Sequence, residues 1–221
     1  MVALPAVHLV RGAFPQAELS LLTNKPVVSK AAAMESVLGP DFFAEVIDYP
    51  VGTRNPAELL AVVRRIRAGR FDVLVNLSAA RGRIKAFRDQ CFFRLAGLSR
   101  VVGTPSSKED FEVVVPAGSD LYESETQRLL RRMAELGSVS LDDAASWDLR
   151  LTAGERQAGE IHLPPHGAPT IACCFGTKMQ AKDWEPPNWK QLVAQLSAAL
   201  PAWRLVVVGS ADEMERAKEC A

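Results

Sequence analysis

Six short apolar runs, at residues 19–22, 46–49, 73–77, 113–115, 171–175 and 205–208, recur along the chain with helical patterns between them. A parallel strand connection needs a crossover long enough for a helix, so this alternation predicts an α/β chain with helices on both faces of parallel sheets. Helix starts are marked in the expected gaps. Asn55-Pro56-Ala57-Glu58, Asp120-Leu121-Tyr122-Glu123 and Ser210-Ala211-Asp212-Glu213 each fit a capping box. Between Leu151 and Pro169 the periodicity fades and Gly154, Gly159, Pro164, Pro165 and Gly167 gather, which predicts an interdomain connection. The expected division is a first α/β domain over 1–163 and the opening strand and helix units of a second over 164–221.

The 221 residues are 48% hydrophobic and 24% charged, enough for one good core and the beginning of another. Lys plus Arg and Asp plus Glu both number 26, so net charge offers no case for a nucleic-acid partner. The balance conceals a local excess: residues 81–100 hold six Lys or Arg against Asp89 alone. None of the four cysteines forms a C-x-x-C pair, and Pro164 and Pro165 break the helical spacing of His162 and His166. No metal site and no cofactor is expected. No apolar run approaches the ~20 residues of a membrane span, and no secretory leader opens the chain. The expectation is a cytoplasmic chain with at most peripheral membrane contact at the inner membrane.

The most informative segment for chemistry runs from Gly176 through Thr177, Lys178, Lys182, Asp183 and Trp184 to Trp189. It joins a buried-strand pattern, residues 170–175, to an amphipathic one in which Trp189, Leu192, Val193, Leu196 and Leu200 fall at helical spacing. A hydroxyl and two lysines thus lie between a strand's C-terminal end and a helix's N-terminus, where open α/β sheets bind phosphorylated ligands. Gly209 and Ser210 occupy another such turn on the same edge, Ser210 also serving as N-cap.

The order Gly176-Thr177-Lys178, Lys182-Asp183-Trp184, Trp189, then the Val206 to Ser210 strand and turn, resembles the donor-binding half of glycosyltransferase family nine, the heptosyltransferase-like enzymes. The N-terminal half carries Leu4-Pro5-Ala6, Phe14-Pro15-Gln16-Ala17, Phe71-Asp72, Asn76-Leu77, Arg94-Leu95-Ala96-Gly97 and Val102-Gly103 in the family's order. The resemblance implies two Rossmann-like domains of GT-B type, the second incomplete. It further implies metal-free, inverting transfer of a heptose or related sugar from a nucleotide-diphosphate donor such as ADP-heptose to an anionic, lipopolysaccharide-type glycolipid. Lys182 is expected on the donor's diphosphate, with Gly176, Thr177, Lys178 and Ser210 around it. An ammonium there would stabilise the charge gathering on the leaving nucleotide.

In the first domain a turn holding Asn76 and Ser78 follows the 73–77 run and opens a helix. Arg81, Lys85 and Arg88 fall on one helical face, while Ile84, Phe87, Cys91 and Leu95 fill another. Ser78, Arg81, Arg83, Lys85 and Arg88 are the expected acceptor-binding residues. Relative to the family, the first strand and its catalytic aspartate would lie before Met1 and a later Asp-x-Gly-x-x-His region after Ala221. The resemblance therefore implies truncation at both ends, no catalytic base within the chain, and inactivity of the chain alone. The alternative is a non-catalytic or decayed module that binds a sugar nucleotide. A dinucleotide oxidoreductase is disfavoured because no G-x-G-x-x-G follows a strand-like run.

Overall fold

The computed structural model describes residues 2–25, 37–38, 42–162, 169–177 and 180–220. Among them six strands form three parallel pairs. β1 (Ser20–Lys25) pairs with β2 (Glu45–Pro50) in the register Leu22 to Ile47. β3 (Val73–Val75) pairs with β4 (Arg100–Val102), Leu74 opposite Val101. β5 (Thr170–Cys173) pairs with β6 (Arg204–Val207), Ile171 opposite Leu205. A helix crosses between the strands of each of the last two pairs, as parallel pairing demands. These are α3 (Arg83–Leu95) between β3 and β4 and α6 (Pro186–Ala199) between β5 and β6. Around them stand α1 (Leu4–Ala13), α2 (Pro56–Gly69), α4 (Glu125–Arg132), α5 (Ala153–His162) and α7 (Met214–Cys220). The described residues divide into two compact units, and the division falls between Leu151 and Thr152.

Local chemistry accounts for most element boundaries. In α2, Asn55 Oδ1 accepts from Ala57 N at 3.0 Å and Pro56 supplies a first-turn φ. Ser124 and Gln127 form a reciprocal capping box that starts α4. Burial then fixes orientation. In the first unit α1 turns Ala6, Leu9 and Val10 toward Val102 and Met133, while Val62 and Ile66 of α2 meet Ala96 and Leu98. In the second, Cys173 and Phe175 pack on Cys220 of α7. Each fully buried Leu, Ile or Phe contributes about 1.5–3 kcal/mol of transfer free energy.

Three expectations need correction. The 113–115 run is not a strand: Glu123 N donates to Val114 O at 2.8 Å, and Val113 and Val115 are exposed. The strand beside β3 is instead Arg100–Val102. The Asp120 capping box goes unused, because the Glu123 carboxylate is taken by Arg131, 2.8 Å away, and the helix begins after Ser124. The stretch expected as an irregular connection contains α5. Glu155 N donates to Thr152 Oγ1 and Thr152 N to Glu155 Oε2, so a capping box offsets the low helix propensity of Gly154 and Gly159.

Candidate functional site

In each unit the described residues of the expected site follow the C-terminal end of a strand of a parallel pair. In the second unit the ladder ends with Val208 N donating to Cys173 O at 2.9 Å, and the chain leaves β5 through Gly176 and Thr177, both half-buried. Lys178 lies outside the described residues. Lys182 ends a short turn (Gln180–Lys182); its side chain is exposed and faces no carboxylate among the described residues.

The residues beside Lys182 are pinned. The Asp183 carboxylate receives both terminal nitrogens of Arg216 on α7, one at 2.6 Å, and also Glu185 N at 2.9 Å. The Arg216 guanidinium, helped by that N–H, lowers the Asp183 carboxyl from an ordinary 3.8 to about 2. Trp184 stands edge-on to Trp189 with centroids 5.1 Å apart, and Trp189 lies 4.7 Å from the Phe175 ring. The loop's acid and aromatics thus hold its shape while the lysine points to solvent. The helix end contributes less than expected. Pro186 and Pro187 have no N–H, and that of Glu185 is spent on Asp183, so Asn188 is the first residue of α6 with an N–H to offer. The start of α6 therefore offers few backbone donors to an anion.

The sequence marks Glu213 only as a cap. Its Oε2 accepts from Ser210 N at 3.1 Å, and its carboxylate lies across the ends of both strands. A Cβ at Gly209 would stand 2.7 Å from that Oε2, and one at Gly176 would collide with the carboxylate. Gly176, Ser210 and Glu213 are therefore neighbours, and both glycines are needed for the acid to lie where it does. A carboxylate there accepts from hydroxyls and repels phosphate. The two glycines were the available signal, but only the fold brings them to one side chain.

In the first unit Ser78 closes the turn after β3, its N and Oγ donating to Asn76 Oδ1 at 3.0 and 2.6 Å. Arg132 of α4 ties this turn to the end of β4. Its guanidinium donates to Asn76 O at 3.0 Å, Ser78 O at 2.9 Å and Gly103 O at 2.8 Å. Burial pulls the Arg132 pKa below its ordinary value. Gly103, at φ 75°, lets the chain pass so closely that a Cβ would stand 3.0 Å from Asn76 O. No local pattern announces Arg132, because its partners are more than twenty residues away.

The cations beyond that turn are open. Arg81, Arg83, Lys85 and Arg88 are all exposed, and α3 has no acid in its first turn. Its positive end therefore adds to their charge. Arg88 Nη2 meets Asp89 Oδ1 at 2.6 Å and Arg81 approaches the same carboxylate at 3.8 Å. Arg83 lies over the Phe111 ring at 6.0 Å. Nearby, Arg131 joins Glu123 and Asp110, at 2.8 and 3.2 Å. Its hydrogen bonds lower the Glu123 pKa; burial pushes Asp110 up, but the N–H groups of Ser106 and Ser107, with Arg131, bring it below ordinary.

No family model and no curated protein matches the chain. Solved structures do. The ADP-heptose LPS heptosyltransferase II of E. coli superposes with a TM-score of 0.56 at 16% identity, over 99% of this chain and 63% of that one. The glycosyl transferase family 9 structure from Veillonella parvula DSM 2008 gives a TM-score of 0.59 at 15% identity, over 99% of this chain and 61% of that one. The chain has a family 9-like fold and spans less than two thirds of the length of either structure.

Proposed function

We propose that the chain belongs to a glycosyltransferase, its second unit holding the diphosphate and ribose of a nucleotide-sugar donor and its first unit meeting an anionic acceptor. The observation that carries this reading is the loop after β5, where Asp183, Trp184 and Trp189 are occupied in holding shape while Lys182 is left exposed with no carboxylate partner among the described residues. In this reading Lys182 neutralises charge on the departing diphosphate, since the proline-started helix has few N–H groups to do so. Glu213 accepts from ribose hydroxyls and keeps the phosphates on the lysine's side. Gly176 leaves room for that carboxylate, and Thr177, Lys178 and Ser210 complete the donor's surroundings. Ser78, Arg81, Arg83, Lys85 and Arg88 attract the acceptor, for which a glycolipid bearing phosphate or carboxylate is the chemical match. The donor is of the ADP-heptose class.

Calorimetric titration of the 221-residue chain with ADP and with AMP tests this reading. ADP is expected to bind at least about tenfold more tightly than AMP, because the second phosphate adds a charge-assisted contact. Equal affinities would remove Lys182 from the diphosphate. Absence of nucleotide binding would overturn the donor reading altogether.

A further inference from the structure

We propose that α3 is a docking helix that lies in the surface of an anionic phospholipid bilayer. The helix has two apolar sides. One packs inward: Phe92 and Phe93 are half-buried, and Ala96 and Leu98 just beyond the helix are fully buried against Val62 and Ile66 of α2. The other follows the spacing i, i+3, i+7, i+11 through Ile84, Phe87, Cys91 and Leu95 and joins no core cluster among the described residues. Ile84 is 87% exposed, Phe87 69% and Leu95 68%, and no residue of the helix is fully buried. A contiguous apolar stripe left in water on a helix already anchored by its other side marks an interaction surface.

Charge identifies the occupant. On a helical wheel Arg83 and Arg94 flank the stripe on one side and Lys85 and Arg88 on the other. The only acid of the helix, Asp89, projects away from the stripe, is half-buried, and takes Arg88 and Arg81. An apolar band between two rows of cations matches a layer that is apolar inside and negative at its surface. A second copy of the same face would set like charges against each other. The 13-residue helix is about 20 Å long and lies along a bilayer instead of crossing it. The proposal does not depend on the sugar-transfer reading, since lipid binding needs neither nucleotide nor turnover.

The test uses the 221-residue chain with vesicles of phosphatidylglycerol mixed with phosphatidylcholine, and with phosphatidylcholine alone. Co-sedimentation should be strong on the first, weak on the second, and reduced by high salt. The double variant Ile84→Ser, Phe87→Ser removes only exposed side chains and should weaken binding to the anionic vesicles by about tenfold or more. A polarity-sensitive fluorophore on Cys91, in a Cys174→Ser background that leaves only buried thiols besides it, should shift to the blue on those vesicles. Failure to bind anionic vesicles, equal binding by the double variant, or a Cys91 label that stays in water while the protein sediments would each overturn the proposal. So would a lipid-free dimer dissolved by Phe87→Ser, which would assign the stripe to a second copy of the chain.

Discussion

The turn from β3 into α3 and the loop from β5 into α6 occupy equivalent places in two α/β units, yet they treat positive charge oppositely. After β5 Lys182 stands exposed on a loop fixed by an ion pair to α7 and by packed aromatics. After β3 the backbone is fixed by the half-buried Arg132, and the cations follow as an exposed row with one acid among them. The first arrangement suits a ligand of defined shape, because the lysine's position is set by its neighbours. The second suits a charged surface or a mobile anionic group, because many cations offer a field and no single geometry.

The largest effect should come from the scaffold of the first region. Arg131→Ala strands Glu123 and Asp110, whose side chains are 5% and 11% exposed, and should cost about 2–4 kcal/mol of stability in urea unfolding. A cost under about 0.5 kcal/mol would mean that this network contributes little to the first unit.

In the second region Asp183→Asn should loosen the lysine's loop and weaken ADP binding by roughly three- to tenfold, less than loss of the lysine itself. The pH dependence follows from the sign of the shift. Asp183 is depressed from 3.8 to about 2, so its contribution to stability is complete above about 4 and is lost as pH falls through about 2. Thermal unfolding of the wild type should therefore weaken more across that window than that of Asp183→Asn, and parallel curves would dismiss the Arg216 pairing as an anchor.

The smallest effect sharpens the comparison. Arg81→Gln with Arg83→Gln should change ADP affinity by less than about twofold while weakening the binding of an anionic glycolipid acceptor and flattening its salt dependence. Collapse of ADP affinity in that variant would instead assign the exposed row to the donor.

The α/β class and the parallel pairing were legible because β2, β5 and β6 are apolar runs of ordinary strand length between helical patterns. β4 was not, since Arg100-Val101-Val102 offers only two apolar residues, and Val113 to Val115 looked better by composition. What separates them is tertiary: Val102 is buried against α1, whereas Val114 spends its hydrogen bonds on Glu123. In α3 the apolar residues form two stripes, and periodicity cannot say which one faces inward. Ala96 and Leu98 decide it by meeting α2. The loop around Lys182 was visible as a motif, but the roles of Asp183 and Glu213 depend on Arg216, Gly176 and Gly209, which no local pattern connects. Arg132 shares that invisibility, its carbonyl partners being drawn from two strand ends.

The most direct test of the contrast is ADP titration of Lys182→Ala beside Lys190→Ala. Lys190 lies on the exposed side of α6 with Glu219 3.6 Å away, so it carries the same charge nearby without the same position. Lys182→Ala should weaken ADP binding by about 10- to 100-fold, or about 1.4–2.8 kcal/mol, and Lys190→Ala by less than about twofold. Equal effects from the two substitutions would contradict the account, since Lys182 would then act as one surface charge among others and the fixed loop would hold nothing in particular.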